Sequence, residues 1–445
     1  MEGLKDGMVM QRNADDVCEV YLVCDGDPGE ILYGGYAEGR VVPESLGGSR
    51  WRLVGIPVGG PFSVQIGETT FRDIYVGDVW ILAGQSNMAG AGWPTDEDRA
   101  FAGDDGIRAL YLSNEWRVAH HPLHDYSHAY YGVYIYLGVD PEAVPPLNGV
   151  GPGLSFAQNM KRYTGVPQGL LCCAFGGSTM SQWSPGLKEQ GSDRSLYAAM
   201  ARRFEENGSH VRGLFWYQGC SDAQEAVHEA FTENMCAFVR ACRRDFGEDL
   251  PVVQAQIGRA LYSPDEQTAA WWNSIREQQR RMHDHIPRLY TVASIIRELD
   301  DWVHMDSDGQ RAIGRDAAEA MYHLVFGRGE KACLPPPKMA GYSVGVDSVT
   351  GCTVVSVHFD CLHGALTSQG RPQGFEILHD YDNLFPQMVF KTILTGNTAH
   401  LHLFVSSQEI AECQLYYGRG MNPSCNISDE AGRPIPTMGP IRIRI

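Results

Sequence analysis

The sequence predicts an α/β protein: a parallel, helix-flanked sheet with β-rich regions before and after it. Two observations carry this. From about residue 76 to residue 325, apolar runs of strand length alternate with helix-period segments, the pattern of a parallel sheet covered by helices. Before residue 75, and after the rigid Leu334-Pro335-Pro336-Pro337 break, short strand-like runs are instead punctuated by turn residues. The predicted division is 1–75 (β-rich), 76–330 (α/β unit) and 331–445 (β-rich). The 445-residue length is consistent with this, and 43% hydrophobic and 20% charged residues exclude general disorder.

In chain order, the early strands are expected at Glu19–Cys24, Trp51–Ile56 and Phe62–Ile66, separated by Asp25-Gly26-Asp27-Pro28-Gly29 and Gly59-Gly60-Pro61. The buried strands of the middle unit are expected at Asp78–Ala83, Gly169–Phe175, Val211–Tyr217, Pro251–Ile257 and Arg288–Ser294. The helices between them are expected at Leu154–Tyr163, Leu196–Asn207, Ala223–Arg244, Glu266–His283 and Ser307–Val325. Ser307-Asp308-Gly309-Gln310 reads as a capping box opening the last. Residues of about 89–150 break the alternation as a long, aromatic, loop-like insertion, of the kind that serves as a lid or binding loop. The late strands are expected at Thr353–Phe359, Gly374–Leu378, His400–Val405 and Gln414–Tyr417.

Charge and cysteine usage remove several function classes. Lys+Arg 36 against Asp+Glu 54 gives a formal charge of −18, which disfavours nucleic acid and anionic membrane surfaces as partners. No apolar run approaches the length of a membrane-spanning helix, and the opening Met1–Asp6 shows no signal-peptide pattern. The expected location is cytoplasmic, or extracellular if the chain is a truncated form. The 12 cysteines lack paired CxxC spacing and sit largely in apolar runs, which reads as buried free thiols, with no zinc site.

In an open parallel sheet the ligand binds beyond the carboxyl ends of the strands. Three features stand there. Gly84-Gln85-Ser86-Asn87-Met88 follows the Asp78–Ala83 strand and places a serine at a tight turn, where a nucleophile is useful. Asp301-Trp302-Val303-His304 lies in the loop before the last helix; its carboxylate can orient the imidazole while the other ring nitrogen faces the serine. Gly176-Gly177-Ser178 and Gln218-Gly219 follow two further strands and supply candidate oxyanion donors: the Gly176 or Gly177 N–H and the Gln218 amide. Singly, these have ordinary explanations as a helix cap, a solvated loop and turns. Together, after successive strands of one sheet, they match the layout of a serine esterase.

The chain resembles the SGNH hydrolases, and within them the sialate O-acetylesterase-like carbohydrate acetylesterases. The resemblance rests on Phe71–Trp80 leading into Gly84–Met88, on Ala174–Ser178 through Trp183, on Trp216-Tyr217-Gln218-Gly219 and on Asp301-x-x-His304. Asp6–Arg12, Gly59–Phe62, Gly374–Ile377 and the closing Tyr416–Pro436 run extend it to nearly the whole chain. It implies a flavodoxin-like three-layer core and a serine esterase that removes O-acetyl groups from sialic acid or plant-polysaccharide oligosaccharides. Catalysis would run through an acetyl-enzyme, with Ser86, Asp301 and His304 as the triad and no metal or cofactor. One departure stands out: Cys220-Ser221-Asp222 follows Gln218-Gly219 where the family usually has Glu-Ser-Asn.

Asn87, Trp183, Arg259 and Trp302 are further candidates for substrate contact, the tryptophans by stacking on a sugar and Arg259 by taking a carboxylate. His120, His121, His124 and His128 suggest a metal by their clustering, but lack a completing Cys or Glu at ligand spacing and read as loop packing or sugar contacts. The expected partner is an acetylated mono- or oligosaccharide; the sequence specifies no oligomeric state. The rival reading is a weak or inactive carbohydrate-binding protein on the same fold. A lipase is disfavoured, because Gly84–Met88 is not G-x-S-x-G.

Overall fold

The computed structural model describes residues 1–135, 149–262, 265–327, 332–379, 388–411 and 413–445. Part of the expected 89–150 insertion and the expected 330/331 boundary lie outside the described residues. The early strands are β1 (Val9–Gln11), β2 (Val17–Val23), β3 (Ile31–Gly35), β4 (Gly39–Val41), β5 (Glu44–Gly47), β6 (Arg50–Pro57) and β7 (Gly59–Ile66). The middle strands are β8 (Thr69–Gly84), β9 (Ile107–Leu110), β10 (Trp116–Val118), β11 (Gln168–Cys172), β12 (Gly213–Tyr217), β13 (Val252–Ala255) and β14 (Leu289–Val292). The helices are α1 (Ser86–Ala89), α2 (Asp96–Ala100), α3 (Pro152–Thr164), α4 (Leu196–Glu205), α5 (Phe231–Phe246), α6 (Glu266–Arg280) and α7 (Ser307–Phe326).

The central sheet runs β10-β9-β11-β8-β12-β13-β14, parallel except for the β10 edge. Its inner strands are buried along their whole length, which is why they read as unbroken apolar runs in place of an alternating pattern. Successive side chains of β12 face opposite layers. Phe215 packs on Phe156 of α3 with ring centres 5.3 Å apart, and Trp216 packs on Phe238 of α5 at 4.5 Å. Helices therefore cover both faces, giving the three-layer α/β core.

β8 is one continuous strand. Its first half pairs with β7 and with β1, where Val9 stands beside Tyr75; its second half pairs with β11 and β12. The expected boundary at 75/76 falls inside it, and the hydrophobic core passes without a break from Val20 and Phe62 into Ile81 and Leu82. The later strands, β15 (Lys338–Val346), β16 (Thr353–Asp360), β17 (Leu366–Ser368), β18 (Phe375–Leu378), β19 (Val389–Thr395), β20 (Thr398–Leu403), β21 (Gln414–Tyr417), β22 (Ile427–Asp429) and β23 (Met438–Arg442), surround a second core that includes Val357, Leu401 and Tyr417. The buried Arg276 of α6 ties this part to the sheet: its guanidinium donates to the carbonyls of Gly258 (2.5 Å), Gly420 (2.5 Å), Gly418 and Met421 (both 3.2 Å).

Three local expectations need correction. The helix expected over Ala223–Arg244 begins only at Phe231; His228–Ala230 form a separate tight turn, whose His228 carbonyl accepts from Gln278 of α6 at 2.7 Å. The insertion is not all loop; β9 and β10 form an antiparallel edge hairpin, too short for a period-2 signal. The cap of α7 is Asp306, whose Oδ1 accepts the Gly309 N–H at 2.7 Å. Ser307 and Gln310 instead donate to the Trp93 carbonyl and to Asn87 Oδ1.

Candidate active site

The Ser86 turn is set by Gly84. Its φ of +138° belongs to glycine, and a Cβ there would meet the Tyr217 carbonyl oxygen at 2.2 Å. The chain can thus leave β8, bond Gln85 N–H to Tyr217 O at 2.8 Å, and present Ser86 as the first residue of α1. From the far side, the loop between β14 and α7 brings His304. Its Nε2 lies 2.9 Å from Ser86 Oγ, and its Nδ1 lies 2.6 Å from Asp301 Oδ2. Asp301 Oδ1 also accepts the N–H groups of Val303 (2.8 Å) and His304 (2.7 Å). Partial burial acts to raise the Asp301 carboxyl, but the bonds from the His304 backbone and imidazole and from Val303 outweigh it and hold it below its ordinary 3.8. Asp300 points away, accepting the Trp93 N–H at 2.6 Å. A hydroxyl, an imidazole and a carboxylate in line at these distances form the geometry that activates a serine oxygen.

Of the expected oxyanion donors, two are engaged elsewhere. The Gly176 N–H donates to Tyr126 Oη at 3.0 Å. The buried Gln218 amide spends both protons, one on the Ser178 carbonyl at 3.0 Å and one in a short bond to Asp222. Asp222 also accepts the Met180 N–H at 3.1 Å, so the pair braces the turn that carries Gly177 against the end of β12. Burial raises the Asp222 carboxyl, against the bonds it accepts. The N–H groups of Ser86 and Gly177 have no hydrogen-bond acceptor among the described residues.

The four substrate-contact candidates separate. Asn87 is buried and structural: Nδ2 donates to Val303 O at 3.2 Å, and Oδ1 accepts from Met305 N (3.1 Å) and Gln310 Nε2 (2.9 Å). Trp183 is fully buried against Trp216 and donates to Ser178 Oγ at 2.9 Å, so it is core. Arg259 is already paired, with Glu298 at 2.6 Å and with the Arg297 carbonyl, so its charge is met within the chain. Trp302, 61% exposed beside His304, is open to a ligand. Cys220 is buried with its thiol pushed up to about 12 by desolvation, so it is not a nucleophile. His124 is buried with Nδ1 3.2 Å from the Ala89 carbonyl, and among the described residues no group of three or more His, Cys, Asp or Glu is placed to hold a metal.

Sequence reasoning missed the roles of Asp222, Arg276 and Asn87. Asp222 carried a signal, three residues past the Gln218-Gly219 motif; Arg276 stands in a helix and carried none.

The fold is a three-layer α/β sheet protein in which Ser86, His304 and Asp301 meet beyond the strand ends. Residues 76–323 match the family described as carbohydrate esterase, sialic acid-specific acetylesterase, and the chain belongs to that family. A probable carbohydrate esterase of Arabidopsis thaliana is 32% identical over 267 residues, which cover 54% of this chain and 89% of that protein. The crystal structure of XAC1771, a carbohydrate acetylesterase from Xanthomonas citri, superposes with a TM-score of 0.71 at 21% identity, over 98% of both chains, a likeness of fold. No described helix is long and apolar enough to cross a membrane.

Proposed function

We propose that the protein is a serine esterase that removes O-acetyl groups from carbohydrates through an acetyl-enzyme. The observation that carries this is the Ser86–His304–Asp301 line, with contacts of 2.9 and 2.6 Å. His304 Nε2 takes the Ser86 proton as Oγ attacks the acetyl carbonyl, then returns it to the departing sugar oxygen. Asp301 holds Nδ1–H, fixes the tautomer and stabilises the imidazolium. The Ser86 and Gly177 N–H groups receive the oxyanion, and Gln218 acts with Asp222 by holding the Gly177 turn. Each lost oxyanion donor costs on the order of 100- to 1,000-fold in rate. Water, activated by the same imidazole, then releases acetate, and Trp302 offers its face to the sugar. The scheme calls on no metal or cofactor.

Mixing the protein with p-nitrophenyl acetate and quenching early tests this. The expected result is one acetyl group on Ser86, with none on Ser86→Ala. Turnover without any acetylated enzyme would contradict the reading and favour direct attack by water. A folded protein with no turnover would favour the binding-protein alternative.

A further inference from the structure

A groove of about 830 Å³ lies beside the catalytic edge, between α6 and the loop 418–422. It joins that edge through Leu261, which lines it and whose N–H donates to the Trp302 carbonyl at 2.7 Å, two residues before His304. From there it follows α6 from Asp265 to Gln278, about 20 Å at 1.5 Å per residue, longer than any one sugar ring.

Its lining mixes apolar surface with amides. Leu261, Ala269, Ala270, Met421 and Pro440 give it an apolar floor. Asn273 uses its carbonyl oxygen to accept the Gly420 N–H at 3.0 Å, and Asn422 accepts weakly from Arg259 at 3.4 Å. The NH₂ groups of both are left without a protein acceptor among the described residues. Apolar faces with a few placed amide donors suit a polyol ring, which offers C–H faces and hydroxyl edges.

The charges select among sugars. Arg259 is matched by Glu298, and Arg419 lies 3.8 Å from Glu376. Glu266 lines the groove at the N-terminal end of α6, beside Asp265, which caps that helix by accepting the Thr268 N–H at 2.7 Å. A carboxylate-bearing sugar would meet these acids and find the nearby arginines already paired.

We propose that this groove binds the unacetylated part of a neutral oligosaccharide whose acetylated residue sits at Ser86. This rests on the acetylesterase reading above and narrows its substrate to a neutral chain.

The test compares acetate release from acetylated xylotetraose and mannotetraose with release from the acetylated monosaccharides and from O-acetylated sialic acid. p-Nitrophenyl acetate reports the chemistry alone. The variants are Ala270→Trp, which fills the groove from an exposed helix position, and Ala270→Ser as its control. A tetrasaccharide KM about tenfold below that of the monosaccharide is expected, equivalent to about 1.4 kcal/mol of extra binding. Ala270→Trp should erase that difference and leave p-nitrophenyl acetate turnover intact, while Ala270→Ser keeps it. Unacetylated tetrasaccharide should inhibit the wild type competitively. Equal KM values for mono- and tetrasaccharide, a difference untouched by Ala270→Trp, or sialic acid turned over as well as the tetrasaccharides would overturn the inference. Wild-type protein that is folded but inert toward p-nitrophenyl acetate would instead overturn the esterase reading itself.

Discussion

Asn87 grips the backbone on both sides of His304: its Nδ2 donates to the Val303 carbonyl at 3.2 Å, and its Oδ1 accepts the Met305 N–H at 3.1 Å. The residue after Ser86 thus holds the loop that carries His304. Because Ser86 and Asn87 are neighbours in α1, this buried amide ties the turn that carries Ser86 to the loop that carries His304. Asn87→Ala should lower kcat by on the order of 100-fold through misplacement of the imidazole. It should also leave Met305 N–H and Gln310 Nε2 without an acceptor, costing about 1–3 kcal/mol. Steady-state kinetics and urea unfolding check both, and KM should change little.

Asp301 and Asp300 are adjacent, and the structure separates them. Asp301→Asn should reduce kcat by on the order of 10³- to 10⁴-fold, since an amide cannot hold the tautomer that leaves Nε2 free to accept. Asp300→Asn touches the Trp93 loop and should cost far less. Parallel kcat measurements on p-nitrophenyl acetate decide between them.

Two histidines of the insertion tie stability to pH. Burial lowers His121 to about 4 and His124 to about 3, with the nearby Arg203 charge adding to the second shift. Both folded values lie below the ordinary 6.5, so between about 6.5 and 4 the unfolded chain binds more protons than the native one. Stability should therefore fall as pH drops through that window. The urea midpoint at pH 7 should exceed that at pH 5, and His121→Asn should shallow the slope.

Trp183 and Trp302 should behave as opposites. Trp183→Ala empties a fully buried site against Trp216 and should cost about 3–5 kcal/mol of stability. Trp302→Ala should leave the melting temperature near wild type and raise KM for an acetylated saccharide while sparing p-nitrophenyl acetate. Thermal melts with paired kinetics test this.

Much of this was legible in the sequence, and the misses have common causes. The inner strands were readable because burial on both faces gives unbroken apolar runs, and α7 because its apolar positions recur at helix period. The β9–β10 hairpin was not, since strands of three or four residues carry no period. Ser86, Asp301 and His304 stood out because chemistry at strand ends has few residue types to choose from. Trp183 and Asn87 misled because a side chain beside a catalytic motif looks the same in sequence whether it faces the ligand or the core. Gln218 misled in a related way: its amide is at the expected place, but Asp222 and Ser178, separated from each other in sequence, claim its protons.

Acetate release from an acetylated saccharide by the wild type and by Ser86→Ala, matched for folding by circular dichroism, tests the central claim most directly. Release by the wild type and only background release by the variant are expected. Equal release by both proteins would contradict that claim.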